Sequence, residues 1–165
     1  MGTGLIRHWA IASTLVAATA GSSFAVRAEE GIVIGGASCI VKNFGSNTAR
    51  KGVRYFDGEL LNVTPSTRLS AVCPLSAFPL EPLTTVIVRL GNYTDAPQSF
   101  RCTLSEWDLG GNEVASYTRN VDVQASVVDG VVWEDVARAD DGSKFVVECG
   151  VPPGGAISSL FSFGL

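Results

Sequence analysis

An all-β fold is what this sequence predicts, and three observations carry that expectation. Apolar and polar residues alternate with period two from about residue 53 to the end, turn-forming residues interrupt the alternation at short intervals, and no capped amphipathic stretch of helical period competes with it. Successive side chains of a strand point to opposite faces, so this pattern buries one face and wets the other. Two packed antiparallel sheets, a β-sandwich of about eight strands, are the economical way to bury so many short faces together.

Strands are expected at about 53 to 62, 68 to 73, 84 to 92, 99 to 107, 113 to 123, 130 to 138, 144 to 149 and 156 to 164. Val86, Val88 and Leu90 share one face of the third, and Phe100, Cys102 and Leu104 share one face of the fourth. The breaks have their own chemistry: Asn92 to Pro97 is a polar loop, Gly110-Gly111-Asn112 suits positive φ, and Asp140-Asp141-Gly142 suits a hairpin turn. Pro152-Pro153-Gly154-Gly155 cannot extend a ladder. An immunoglobulin-like or jelly-roll-like arrangement accommodates this order.

Residues 1 to 28 read as a secretory leader, with Arg7 and His8, an apolar stretch from Trp9 to Ala20, and small residues before Glu29 and Glu30. Cleavage is expected after Ala28, with Ala25 as the alternative. This 12-residue stretch falls short of the roughly 20 residues that span a bilayer, so no stable membrane insertion is expected and the product should be secreted or periplasmic. The chain then divides into the leader, a glycine-rich amino-terminal segment at 29 to 50 that carries Cys39, and the sandwich at 51 to 165. Without Arg7 and Arg27 the 12 basic residues become ten against 16 acids, a net charge of −6. The acids are spread along the chain as on an ordinary solvated surface, and nucleic acid is not an expected partner.

His8 is the only histidine, so the exported domain has no imidazole for a Ser-His-Asp or Cys-His mechanism and lacks the commonest zinc and copper ligand. Its cysteines, Cys39, Cys73, Cys102 and Cys149, have no Cys-x-x-Cys spacing, which disfavours a thiolate zinc site. Cys73 follows Leu69 and Ala71 on one face, Cys102 follows Phe100, and Cys149 follows Phe145 and Val147. Buried disulfides are therefore expected. Four cysteines allow three connectivities; the favoured one joins Cys39 to Cys73, clamping the amino terminus, and Cys102 to Cys149, joining two core strands.

Val72-Cys73-Pro74-Leu75, Cys102-Thr103-Leu104 and Glu148-Cys149-Gly150-Val151-Pro152, with an alternating strand after them, resemble a loose group of small exported bacterial proteins of unknown function. In that group a Cys-Pro-Leu, a Cys-Thr-Leu and a Cys-x-x-Pro turn follow a cysteine near the mature amino terminus. The resemblance covers roughly residues 37 to 165, and the second proline, Pro153, is a minor departure. It implies a secreted two-disulfide β-sandwich and nothing about activity.

Carboxylates remain as candidates for acid–base work. Glu134-Asp135 and Asp140-Asp141 are adjacent pairs, and neighbours in a strand face opposite ways. Glu106 follows Leu104 on the inward face, although a strand-end carboxylate ordinarily reaches solvent or a backbone amide. Asp140, Asp141 and Ser143 offer oxygen ligands for calcium, but lack the acid spacing of an EF-hand, and a plain hairpin turn is the favoured reading. With no nucleophile elbow or phosphate loop, no catalytic residue, metal or cofactor is assigned.

Trp107 alternates with Arg101, Thr103 and Ser105 on the outward face, where an indole beside an arginine can stack on a sugar ring or anchor a protein partner. The competing reading, an indole under a loop, is favoured. Trp133, on the side of Val131, reads as core. Asn62-Val63-Thr64 and Asn92-Tyr93-Thr94 match glycosylation acceptors that a bacterial export product would leave unused. Ile157, Phe161, Phe163 and Leu165 alternate as in the closing strand of an outer-membrane barrel or the tail of a fimbrial subunit; apolar residues on both sides of other strands disfavour the barrel. Ile32-Val33-Ile34 has the pattern of a segment that adds to a neighbour's sheet edge.

The expected function is that of a non-enzymatic exported interaction or cell-surface module with an unknown protein or glycan partner. The alternatives are a fimbria-like structural subunit that self-associates by strand addition, and a carbohydrate-binding module that uses Trp107 and Arg101.

Overall fold

The computed structural model describes residues 31–42, 51–75, 83–138 and 142–164. The leader with His8, the acids Asp140 and Asp141, and Leu165 lie outside the described residues. Eleven strands are described: β1 (Gly31–Gly35), β2 (Ile40–Val41), β3 (Val53–Phe56), β4 (Glu59–Asn62), β5 (Leu69–Leu75), β6 (Leu83–Asn92), β7 (Gln98–Trp107), β8 (Glu113–Val123), β9 (Val128–Glu134), β10 (Lys144–Val151) and β11 (Gly155–Gly164). All pair antiparallel and form a β-sandwich. The first sheet runs β3-β4-β11-β6-β9, with β1 also paired to β11, and the second runs β2-β5-β10-β7-β8. Among the described residues no helix is long and apolar enough to cross a membrane.

Two departures from the expected strands have local causes. The segment expected as one strand at 53 to 62 is a hairpin, because Asp57 and Gly58 both adopt positive φ (48° and 82°), the primed-turn geometry that Asp-Gly favours. The strand expected to reach residue 138 stops at Glu134, where Asp135 turns left-handed (φ 54°). Of the 29 to 50 segment, β1 joins the first sheet and β2 the second. Gly36 sits at this change of sheet so close to β11 that a Cβ would stand 1.8 Å from the Ile157 carbonyl oxygen.

Between the sheets lie Val86, Val88, Leu90, Val131, Trp133, Ile157 and Leu160 on one side, and Ala71, Phe100, Leu104, Val147 and Val151 on the other. The disulfides join Cys39 to Cys73 and Cys102 to Cys149. Cys102 and Cys149 are direct cross-strand partners, and Cys39 adjoins Ile40, which pairs with Val72. Each closes a loop of 34 or 47 residues, for about 4 kcal/mol in the chain-entropy model. Cys102–Cys149 lies within the second sheet, and Cys39, in the link just before β2, bonds to β5 of that sheet, so neither bridge joins a strand of one sheet to a strand of the other.

That fastening falls to two buried asparagines. Four changes of sheet at one end of the sandwich lie wholly within the described residues, from β4 to β5, β6 to β7, β8 to β9 and β10 to β11. Asn62 closes the first crossing: its Oδ1 accepts from the Thr64 amide (3.0 Å), and its Nδ2 donates to Thr67 O and to Val151 O of the β10–β11 crossing, both at 2.9 Å. Asn92 repeats the device. Its Oδ1 accepts from the Thr94 amide and hydroxyl, and its Nδ2 donates to Ala96 O (2.8 Å) and to Val123 O and Gln124 O of the β8–β9 crossing. The Asn-x-Thr pattern is thus an Asx-turn whose amide is consumed inside the protein; both asparagines are buried, and glycan attachment is incompatible with this geometry.

Asn62→Ala removes the carboxamide donor from Val151 O and Asn92→Ala removes it from Val123 O and Gln124 O, and each also removes the Oδ1 acceptor of its threonine amide; a buried group left unpaired costs about 1–3 kcal/mol. Each variant is expected to lose about 3 kcal/mol in denaturant unfolding followed by circular dichroism. An unchanged midpoint for either would mean that the corner does not fasten the sheets.

Candidate binding face

The outer face of the first sheet departs from the polar surface that a sandwich normally turns to water. Its aromatic residues arrive there for three separate reasons. Tyr93 is the central residue of the Asn92 corner: with Asn92 directed inward, Tyr93 turns outward, and its amide donates to Gly154 O at 3.0 Å. Its ring lies over Gly91, where a Cβ would meet the ring at 3.2 Å, so glycine provides the seat. Phe56 pairs with Glu59 beside the Asp57-Gly58 turn. Phe161 and Phe163 face outward because a β-bulge between Ile157 and Ser159 shifts the phase of β11. Ile157 and Leu160 therefore point inward, which corrects the expectation that Ile157, Phe161 and Phe163 share a face.

Tyr93 and Phe56 are 55% and 67% exposed and, with Asp57, Glu59 and Leu61, line a depression of about 340 Å³. The Tyr93 hydroxyl donates to Glu59 Oε2 at 2.7 Å, fixing both groups at the surface. A second shallow depression of about 360 Å³ follows along the face, lined by Ile87, Arg89, Val128, Asp129, Gly130, Phe161 and Phe163. Cross-strand register aligns Val33, Phe161, Ile87 and Val132 into one row across four strands. That row lies four residues, about 13 Å, along β6 from the seat of the Tyr93 ring. Arg89 stands between the two, exposed and without a hydrogen bond or ion pair among the described residues.

The hydrogen bond to Glu59, burial and the Glu59 charge push the Tyr93 phenol up to about 12, against a weaker opposing effect of the Ser158 hydroxyl. It therefore stays a neutral donor throughout the physiological range.

Other candidate residues fall elsewhere. Glu106 is fully enclosed and accepts a hydrogen bond from Ser143, itself buried, so Ser143 is engaged away from any calcium loop. This corrects the expectation that Glu106 reaches solvent. Trp133 is core, and its indole N–H donates to Tyr117 O at 3.0 Å. Glu134 and Asp135 line one edge cleft with Tyr117 and Arg119, because the left-handed Asp135 breaks the alternation that would have separated them. Trp107 is 37% exposed at the far end of β7 on the outer face of the second sheet, and Arg101 lies on the same face six residues, about 20 Å, away. The two do not form one compact site. Ile32-Val33-Ile34 is paired with β11 of its own chain.

No known protein family matches the sequence. No curated protein matches it either. Solved structures do resemble the fold. A GH26-CBM35 β-(1,4)-mannanase of Podospora anserina superposes with a TM-score of 0.50 at 11% identity, covering 82% of this chain and 28% of the mannanase chain. A low-affinity xylan-binding module of Roseburia intestinalis gives 0.46 at 12% identity over 82% of this chain and 95% of that one. A family 35 carbohydrate-binding module of Clostridium thermocellum gives 0.42 at 17% identity over 82% and 92%. At these identities the likeness is one of fold alone, a β-sandwich. The chain spans little more than a quarter of the mannanase.

A phenol bound more tightly to its proton when folded stabilises the fold fully below the ordinary pKa of 10.0 and loses that contribution as pH rises towards about 12. Ultraviolet titration should show a late-ionising tyrosine that vanishes in Tyr93→Phe and moves to lower pH in Glu59→Gln. A Glu59→Gln profile identical to wild type would contradict the pairing.

Proposed function

We propose that the protein is an exported, non-catalytic glycan-binding module that acts by contact through the outer face of its first sheet. One observation carries this reading: exposed Phe56 and Tyr93 flank a carboxylate that the tyrosine hydroxyl holds in place, on a face that water alone would keep polar. Sugars present apolar C–H faces and hydroxyl edges, and aromatic rings beside fixed polar groups match both. Glu59 and Asp57 accept from hydroxyls, Arg89 donates, and the rings stack. The shared fold with a mannan-degrading enzyme that carries a carbohydrate-binding module is compatible with this reading and selects no ligand.

Two features support contact over turnover. The one buried carboxylate among the described residues, Glu106, is enclosed and closed to a polymer. On this face Glu59 is held by a neutral tyrosine that keeps its proton at neutral pH. The leader and two disulfides support export to an oxidising compartment. For a strand-adding fimbrial subunit, the segment that would be donated already serves as β1 in its own sheet.

Affinity electrophoresis through gels containing mannan, xylan or galactan is expected to retard the wild type in at least one. Tyr93→Ala should weaken that retention about 10- to 30-fold, the loss typical of an anchoring aromatic. No retardation in any gel, or an unchanged Tyr93→Ala, would overturn the reading.

A further inference from the structure

We infer that Trp107 marks a second glycan contact on the opposite face of the sandwich, so that one domain ties two polysaccharide chains together. The inference rests on the glycan reading and extends it from a single contact to cross-linking.

The two exposed tryptophan and tyrosine sites differ in every structural respect. Trp107 is the last residue of β7, at the end of the sandwich away from the asparagine corners, on the second sheet. Opposite the Glu106–Trp107 step β8 carries a bulge, with Val114 as its extra residue, while Trp107 keeps the outward phase of β7. The indole is 37% exposed, and its N–H has no acceptor among the described residues, unlike that of Trp133, which is buried and bonded. Lys144 and Glu113 flank it in register.

Stepping away from the indole along the same outward face come Ser105 opposite Ser116, Thr103 opposite Thr118, and Arg101 opposite Asn120. The two threonine hydroxyls are 2.8 Å apart and hydrogen-bonded. Beside them Glu148 is engaged: burial pushes its carboxyl up, but hydrogen bonds from Lys42 and Ser70 and the lysine charge outweigh this and hold it below the ordinary range. Ser105 is nearly buried and the threonine hydroxyls bond each other, so the groups open beyond the ring are the Asn120 amide and the Arg101 guanidinium, with the threonine pair between. An apolar protein surface would leave the amide and guanidinium unpaired, whereas a polyhydroxylated chain laid along β7 would meet them together with the Trp107 ring.

The outer faces of two packed sheets point in opposite directions. Tyr93 lies at one end of the sandwich and Trp107 at the other, separated along the strands by roughly 30 Å, the length of β7, as well as by the thickness of the core. Each face can therefore hold a different polymer chain, and linking two contacts on one body gives retention on a multivalent polymer beyond that of either alone.

The test mixes the full exported protein, at a concentration where sedimentation shows a monomer, with soluble mannan, xylan or galactan, and follows light scattering across protein-to-polymer ratios. The wild type should cross-link with a maximum at intermediate ratio. Trp107→Ala and Tyr93→Ala should each abolish the scattering maximum while retaining measurable retardation in the affinity gel, and Trp107→Phe should restore part of it. Tryptophan emission should shift on adding a short oligosaccharide of the retarding polymer to Tyr93→Ala and stay constant in Trp107→Ala, where only the buried Trp133 remains. Scattering by Trp107→Ala equal to wild type, or loss of the emission shift in Tyr93→Ala, overturns the second site. A wild type that is retarded yet never cross-links overturns it too, while leaving the glycan reading intact; absence of retardation in every gel overturns the glycan reading itself.

Discussion

Two asparagine carboxamides hold the sheets of this protein in register. Neither disulfide joins a strand of one sheet to a strand of the other, so they leave the relation between layers to burial and to the corners. Apolar burial is non-directional and would tolerate many relative placements of two sheets. Asn62 and Asn92 supply direction: each bonds its own crossing and one neighbouring crossing, so four changes of sheet are fixed at one end of the sandwich. Enclosure away from competing water makes these bonds strong when complete and costly when broken.

The same constraint leads to the surface. Once Asn92 is committed inward, the next residue must turn outward, and that residue is Tyr93. Gly91 leaves room beneath the ring, and the neighbouring β3–β4 hairpin brings Glu59 to the hydroxyl. Farther along, the bulge in β11 turns Phe161 and Phe163 outward while Leu160 stays in the core. A sheet that alternated without interruption would have presented a different set of residues. The aromatic residues of the outer face therefore arise from breaks in regularity, a corner, a hairpin turn and a bulge.

Much of the fold was legible because it depends on period two. Val86, Val88 and Leu90, or Phe145, Val147 and Cys149, announce a buried face by spacing alone, and cysteines on such faces can meet across neighbouring strands. The aromatic outer face was not legible for the same reason. The phase slip at Ser158 leaves no mark in a pattern that assumes constant phase, so Phe161 and Phe163 read as companions of Ile157. Tyr93 was hidden inside an Asn-x-Thr triplet whose familiar meaning is glycan attachment, and whose role here is to complete a buried turn. Asp57-Gly58 was a visible signal, passed over because the alternation continued on either side. Trp107 stood out from its outward position, but its distance from Arg101 follows simply from six residues of extended chain.

The central claim is that the outer face of the first sheet is where a glycan rests. Titrating isotope-labelled protein with an oligosaccharide of the polymer that retards it, and mapping the perturbed backbone amides by NMR, addresses that claim most directly. The account predicts a contiguous set on that face, including Gly58 to Leu61, Arg89 to Tyr93 and Ser159. Perturbation confined to the edge cleft of Tyr117, Arg119, Glu134 and Asp135, with the sheet face silent, would contradict it.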